Sequence, residues 1–384
     1  MNLTLSIPQA RSQRIAVSVY FFIAGITFAS WASRIPEIKN NLHLSDAGLG
    51  TVLFALPVGL MASLPLSGWA VSKFGSKGIL SIAGIVYPTI LVLLGLANTT
   101  LVLVIALFFF GLFGNLFNIS VNTQAIGVEE KYGRSIMASF HGVWSLAGFT
   151  GALIGTVMVS HFMSIFSHFC IILILNLALG LAANKHTMRH DSGKKDQPIF
   201  VMPDKNLLVL GMIAFGCMVC EGTMFDWSGV YFDKVVKVPK QYVTLGYVAF
   251  MSTMAGGRFV GDWITTKVGT RRMLQLSGIV ITAGLMLAVI VPTLFAATAG
   301  FLLVGLGVSS VVPLVYSAAG KSGTMTPGAS LAAVSTIGFI GFLLGPPTIG
   351  FIAEAANLRW SFTLIAVLGF STTLLATWAK LKKS

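Results

Sequence analysis

The chain has 384 residues, of which 55% are hydrophobic and only 10% charged, with a net charge of +13 and a mean hydropathy of +0.86. That balance excludes a soluble globular protein. Apolar runs of the roughly 20 residues that cross a bilayer recur along the whole length, so the expected class is an all-α polytopic membrane protein.

Taken in order, the predicted spans are Ile15–Ser33, Ala47–Ala70, Gly78–Ala97, Thr100–Asn122, Ser135–Ser160, Ser164–Ala183, Leu207–Tyr231, Tyr242–Thr265, Met273–Val291, Thr293–Ala319, Ala329–Glu354 and Leu358–Lys380. The first resembles a secretory signal, because Arg11 and Arg14 precede it and Ser30-Trp31-Ala32 approximates a cleavage site. An internal repeat, given below, argues that it is retained. Alternate connecting segments hold eighteen of the 25 Lys and Arg residues. The positive-inside rule then puts both termini on the cytoplasmic side. The net charge is accounted for by topology, and no nucleic-acid partner is expected.

The longest polar connection, residues 184–206, divides the spans into two groups of six. The expected domains are 1–183, a cytoplasmic linker over 184–206, and 207–384. Sliding one half over the other gives three matches. GITFASW (Gly25–Trp31) lies over EGTMFDW (Glu221–Trp227), pairing Thr27 with Thr223 and Trp31 with Trp227. SKFGSK (Ser72–Lys77) lies over TKVGTR (Thr266–Arg271), and GFTGALIG (Gly148–Gly155) over GFIGFLLG (Gly338–Gly345). The last is a small-residue stripe that lets helices approach closely in lipid. The first span therefore has a partner in the seventh and belongs to the fold.

Two six-span halves, a central linker and a basic turn between the second and third span of each half resemble the major facilitator superfamily over the whole chain. That resemblance implies two pseudo-symmetric six-helix bundles. In GWAVSKFGSKG (Gly68–Gly78), Ser72 stands where the superfamily usually has an aspartate, and Thr266 does so in the second half. Lys73 and Lys267 remain as candidate gating cations. FASWASRIPEIKNNLHLSDAGLG (Phe28–Gly50), FHGVWSLAGFTGALIG (Phe140–Gly155), EGTMFDWS (Glu221–Ser228) and GRFVGD (Gly257–Asp262) resemble the branch of bacterial rhizopine transport proteins related to fucose permeases. The branch implies uptake of a sugar-like, inositol-like or amino-sugar-like solute across the inner membrane, often with protons.

Glu221 falls about 14 residues into its span, near the bilayer midplane. A carboxylate there is costly and marks a candidate coupling or substrate-binding acid, against the alternative of a hydrogen-bonded structural glutamate. Asp226 lies five residues on, about 140° round the helix, so the two acids have different faces and roles. It is a second proton-coupling candidate, or a solvated acid near the outer end. Trp31 and Trp227 are candidates for stacking on a sugar ring, with interfacial anchoring as the commoner use of tryptophan.

Asn115, Asn118 and Asn122 recur at i, i+3 and i+7 on one helix face. Their amides suit polyol hydroxyls, or else bond between helices. His141 and Trp144 form an i, i+3 pair that is either a proton and substrate site or the lining of an inner vestibule. Arg258 and Asp262, at i and i+4, suit a conformational latch, and Arg34 with Glu37 a weaker, exposed counterpart.

No G-x-x-x-x-G-K-[ST] is present, so a gradient rather than ATP is the expected energy source. Cys217 and Cys220 spell C-x-x-C inside an apolar span and read as packing. His161, His168 and Cys170 fit no standard metal spacing. The expectations are no cofactor, no metal, no enzymatic constellation and a monomer, with the solute, protons and the bilayer as partners. The alternatives are proton-driven efflux of drugs or metabolites, and a transport-dead receptor on the same fold.

Overall fold

In the computed structural model, residues 7–132, 136–188, 204–322 and 327–381 are described, and the side chains of 7–9, 138, 262 and 327–329 lie outside that description. Most of the predicted linker falls outside it as well. The described residues form helices α1 (Ile7–Asn41), α2 (Asp46–Leu53), α3 (Ala55–Gly95), α4 (Thr100–Tyr132), α5 (Met137–Ser160), α6 (Ile165–Asn184), α7 (Lys205–Tyr231), α8 (Leu245–Val268), α9 (Thr270–Ile290), α10 (Leu294–Val308), α11 (Val311–Gly320), α12 (Pro327–Ala355) and α13 (Leu358–Trp378). Among them, 11 segments are long and apolar enough to cross a membrane. The remaining predicted span corresponds to α8, 24 residues long and carrying Arg258.

Short polar side chains start the helices where the sequence supplies them. Ser45, Ser164, Asp204, Thr293 and Asn357 each accept a bond from an otherwise unpaired first-turn N–H. In lipid such a donor has no water to turn to. Large apolar side chains such as Leu101, Ile174, Phe295 and Trp378 stand exposed, the surface that lipid covers.

Two elements depart from the sequence reading. The tenth predicted span is broken into α10 and α11 at Ser309-Ser310, where Ser309 Oγ turns back to Leu306 O at 2.7 Å and competes with the helix ladder. The second is interrupted at Phe54, leaving α2 as a separate eight-residue helix.

The chain divides into two compact units, Met1–Arg34 with Ala55–Lys194, and Ile35–Phe54 with Lys195–Ser384. In the first, the small-residue stripe of α5 lies on α1: a methyl group added to Gly151 would sit 2.8 Å from Ala29 Cβ, and one on Gly155 would meet Ser33. In the second, the matching stripe of α12 lies on α7, with Gly341 against Phe215 O and Val219. A further equivalence was not apparent from sequence. Gly111 abuts the Leu56 carbonyl in one unit, and Gly305 abuts the Phe250 carbonyl in the other, at the same offset.

The basic turns repeat down to the backbone. Gly75 (φ 77, ψ 150) and Gly269 (φ 83, ψ 151) share a conformation essentially reserved for glycine. Just beyond them, Lys77 donates to Asn184 O at 2.8 Å, closing the C-terminus of α6, and Arg271 donates to Ala379 O at 2.9 Å beyond α13. Each cation neutralises orphan carbonyls and the negative end of a helix dipole. Gly75→Ala and Gly269→Ala are each expected to destabilise by roughly 1–3 kcal/mol, read as a lowered melting temperature in detergent. An unchanged melt at both would show that these turns relax without strain.

Candidate functional site

In the second unit, Glu221 lies buried in the middle of α7, 8% exposed. Its Oε1 is 3.6 Å from Arg258 Nη2 on α8. The sequence reading gave Arg258 a partner one turn along its own helix. The fold gives it an acid from another helix, and the Asp262 side chain lies outside the described residues. Two oppositely charged groups away from water stabilise each other only while both remain ionised, so protonating Glu221 would remove this attraction.

The pair sits beside the broken helix. Methyl groups added to Gly257 and Gly261 of α8 would meet Ser309 and Ser310 at the break. The Val308 carbonyl at the break takes the Cys217 thiol at 3.8 Å, and the Cys220 thiol points to Ile365 O at 3.6 Å, so both cysteines serve packing. Tyr316 on α11 shares a hydrogen bond with Ser335 and lies within electrostatic range of Glu221. Discontinuous helices at membrane depth are where transporters commonly bind solute and coupling ions. Neither the break nor Tyr316 was found from sequence, since a Ser-Ser pair alone is a weak signal.

Asp226 lies farther along α7, half-buried, with no hydrogen bond or ion pair among the described residues. Trp31 and Trp227 are 1% and 0% exposed, and both indole N–H groups are buried without a hydrogen-bond partner among the described residues. Interfacial anchoring is thereby overturned, because an anchoring tryptophan exposes its ring to the membrane–water boundary and these two rings are buried in protein. Thr27 and Thr223, the other pair matched in the same repeat, are both buried and bond back to the carbonyl four residues earlier.

In the first unit the amide stripe of α4 divides. Asn115 is buried and its Nδ2 donates to Ser63 Oγ at 2.7 Å on α3, while Asn122 Nδ2 donates to Asn118 Oδ1 at 2.9 Å. Asn115 therefore joins two helices in this arrangement, and exposed Asn118 is the open member. His141 is exposed, with its ring edge on Phe21 at 5.3 Å. Trp144 is half-buried, its carbonyl abutting Gly25.

Arg34 was expected in an exposed pair with Glu37. Its exposure is corrected, because Arg34 is 1% exposed, and among its bonds it donates from Nε to His168 Nδ1 at 3.1 Å and from Nη2 to Met163 O at 2.9 Å. His168 thus anchors Arg34, and among the described residues no metal-holding group occurs. Arg34 falls in the first unit and half-buried Glu37 in the second. Lys73 and Lys267 each lie over a tryptophan of their own helix, Trp69 at 4.9 Å and Trp263 at 3.8 Å.

The second unit also holds a charge cluster that sequence reasoning missed. Asp46 Oδ1 takes Lys39 Nζ at 3.1 Å and Lys234 Nζ at 2.8 Å, while Glu354 Oε2 accepts the N–H groups of Asp46 and Ala47 at 3.0 and 3.3 Å. Asn40 Nδ2 donates to Asp233 Oδ2 at 3.1 Å. None of these partners was legible in the sequence.

Residues 16–326 match the family model of the Major Facilitator Superfamily. A protein of Yersinia pestis described as an uncharacterized MFS-type transporter is 34% identical over 357 residues, covering 93% of both chains. The membrane protein MosC of Rhizobium meliloti is 33% identical over 356 residues, covering 92% of this chain and 87% of its own. Among solved structures, a bacterial homolog of the human lysosomal transporter Spinster, inward-facing and unoccupied, superposes with a TM-score of 0.77 at 14% identity over 98% of both chains. These matches, with an all-helical multi-pass chain built from two repeated units, establish that the protein belongs to the Major Facilitator Superfamily, a family of membrane transporters.

Proposed function

We propose that the protein is a secondary active transporter that takes up a small polar solute of the sugar, inositol or amino-sugar kind together with protons, by alternating access. It acts as a monomer in the bacterial inner membrane with both termini in the cytoplasm, where the charge rule puts the lysine-rich segments. The observation that carries this reading is the Glu221–Arg258 pair at 3.6 Å beside the break between α10 and α11. A half-sealed ion pair is a poor investment for a scaffold and a serviceable one for coupling, because its charge state follows proton access. Each unit by itself carries donors suited to hydroxyls, the first the indole N–H of Trp31 and the exposed amide of Asn118, the second the indole N–H of Trp227.

The test is uptake into proteoliposomes with an inside-alkaline pH gradient, using a panel of polyols, sugars and amino sugars. At least one is expected to accumulate and to be released by a protonophore. Gradient-driven extrusion of cationic dyes with no accumulation of any panel member would instead favour efflux.

A further inference from the structure

Two adjoining cavities of about 530 and 500 Å³ flank the N-terminal turns of α1. They share Arg11, Ile15, Val19 and Leu179, and every lining residue belongs to the first unit. A solute site of an alternating-access protein must be sealed and opened between two halves, so this cleft serves something else. Its chemistry is split along its length: cations at the end where α1 begins, and aliphatic side chains deeper in.

Arg11 is exposed and makes no hydrogen bond or ion pair among the described residues. Arg14, three residues on and on the same face, lies over the Tyr132 ring at 5.4 Å and reaches Ser139 Oγ at 3.4 Å. Ser12 Oγ meets His186 Nδ1 at 2.8 Å across the mouth of the first cavity. Among the described residues no acidic side chain lines either cavity, and the first turn of α1 carries none. The nearby carboxylate of Glu129 accepts the N–H groups of Ile136 and Met137, both at 2.7 Å. Two arginines one turn apart on the same helix face repel each other, and an anion between them relieves that repulsion.

We propose that this cleft binds one anionic phospholipid, its headgroup phosphate held by Arg11 and Arg14 and an acyl chain lying along Ile15, Val19 and Leu179. From Arg14 to the far lining residue Phe22 is about 12 Å along the helix, enough for a substantial length of chain. Basic clefts between helices at the membrane surface recognise such headgroups. An aliphatic wall gives a free phosphate nothing to bury, which is why the lipid is preferred to a soluble anion. The inference does not depend on the solute or on proton coupling.

The test is native mass spectrometry of the detergent-purified protein titrated with phosphatidylglycerol or phosphatidylcholine. Wild type is expected to retain one phosphatidylglycerol at about tenfold lower lipid concentration than phosphatidylcholine. Arg11→Gln with Arg14→Gln should weaken that retention about thirtyfold, the effect of roughly 1 kcal/mol per cation near the surface. Arg11→Gln alone, at an exposed and unbonded position, keeps the test readable if the double variant folds poorly. Val19→Trp fills the groove with both arginines intact and should also displace the lipid. Equal retention of the two lipids, undiminished retention in Arg11→Gln or in Val19→Trp, or equal competition by inorganic phosphate would each overturn the proposal, the last by showing a soluble-anion site.

Discussion

Glu221→Gln is expected to abolish proton-driven accumulation of solute while leaving counterflow exchange intact. Exchange of solute for solute needs no net proton movement, whereas accumulation requires a group whose charge follows the proton. The loss should fall in the range of roughly 5–150-fold that typical coupling energies of about 1–3 kcal/mol produce. The variant also leaves Arg258 facing a neutral amide. Removing one partner of a fully sealed pair costs about 3–5 kcal/mol, and here the cost should be smaller, because 21% of the Arg258 side chain is exposed. Adding Arg258→Gln to Glu221→Gln should therefore recover part of the lost thermal stability without restoring accumulation. Paired uptake and counterflow in proteoliposomes, with melts of all three proteins, separate the two effects. If Glu221→Gln still concentrates solute, the coupling acid lies elsewhere. Asp226 is then first in line, being half-buried and without a partner among the described residues, and His141 second.

Asp46→Asn should destabilise the second unit by on the order of 3 kcal/mol, because it leaves Lys39 a buried ammonium with the Leu44 carbonyl at 2.6 Å but no counter-charge from Asp46. The two arms of the cluster are unequal. The Lys39 side chain is 3% exposed and that of Lys234 40%, so Lys234→Gln should cost under about 1 kcal/mol, as exposed ion pairs do. Spin labels at His43 and Lys237, both exposed in the second unit, should report a broadened distance distribution in Asp46→Asn and little change in Lys234→Gln. On this view the cluster ties residues 35–54 to the second unit as a latch that must be undone when they move. Equal melts for the two variants would show a solvated cluster with no such role.

What these residues do was unequally legible beforehand. The apolar runs gave the spans, because crossing hydrocarbon leaves a chain little choice but continuous helix. The repeat named Gly75 and Gly269 as equivalents, and the structure gives them φ of 77 and 83. The stripes at Gly148–Gly155 and Gly338–Gly345 announced close helix contacts. Glu221 stood out as an acid where acids are expensive.

Partners were a different matter. Sequence spacing identifies neighbours along one helix, so Arg258 pointed to Asp262, and only the packing of α8 on α7 brings Glu221 to 3.6 Å. Asp46 and Lys234 are 188 residues apart, and Asp46 and Glu354 308, distances over which no local pattern carries information. Trp31 and Trp227 read as surface anchors because tryptophan usually is one there, and their burial is decided by what packs over them. The amide stripe of α4 was a true helix face, yet Ser63 and Ser67 of α3 determine that Asn115 is spent on a neighbouring helix while Asn118 stays open. Local composition and period thus determined which segments cross the membrane and which residues are costly there. The tertiary structure alone decided how those costs are met, because a charge or amide in hydrocarbon is satisfied by whichever group the packing delivers, from any distance along the chain.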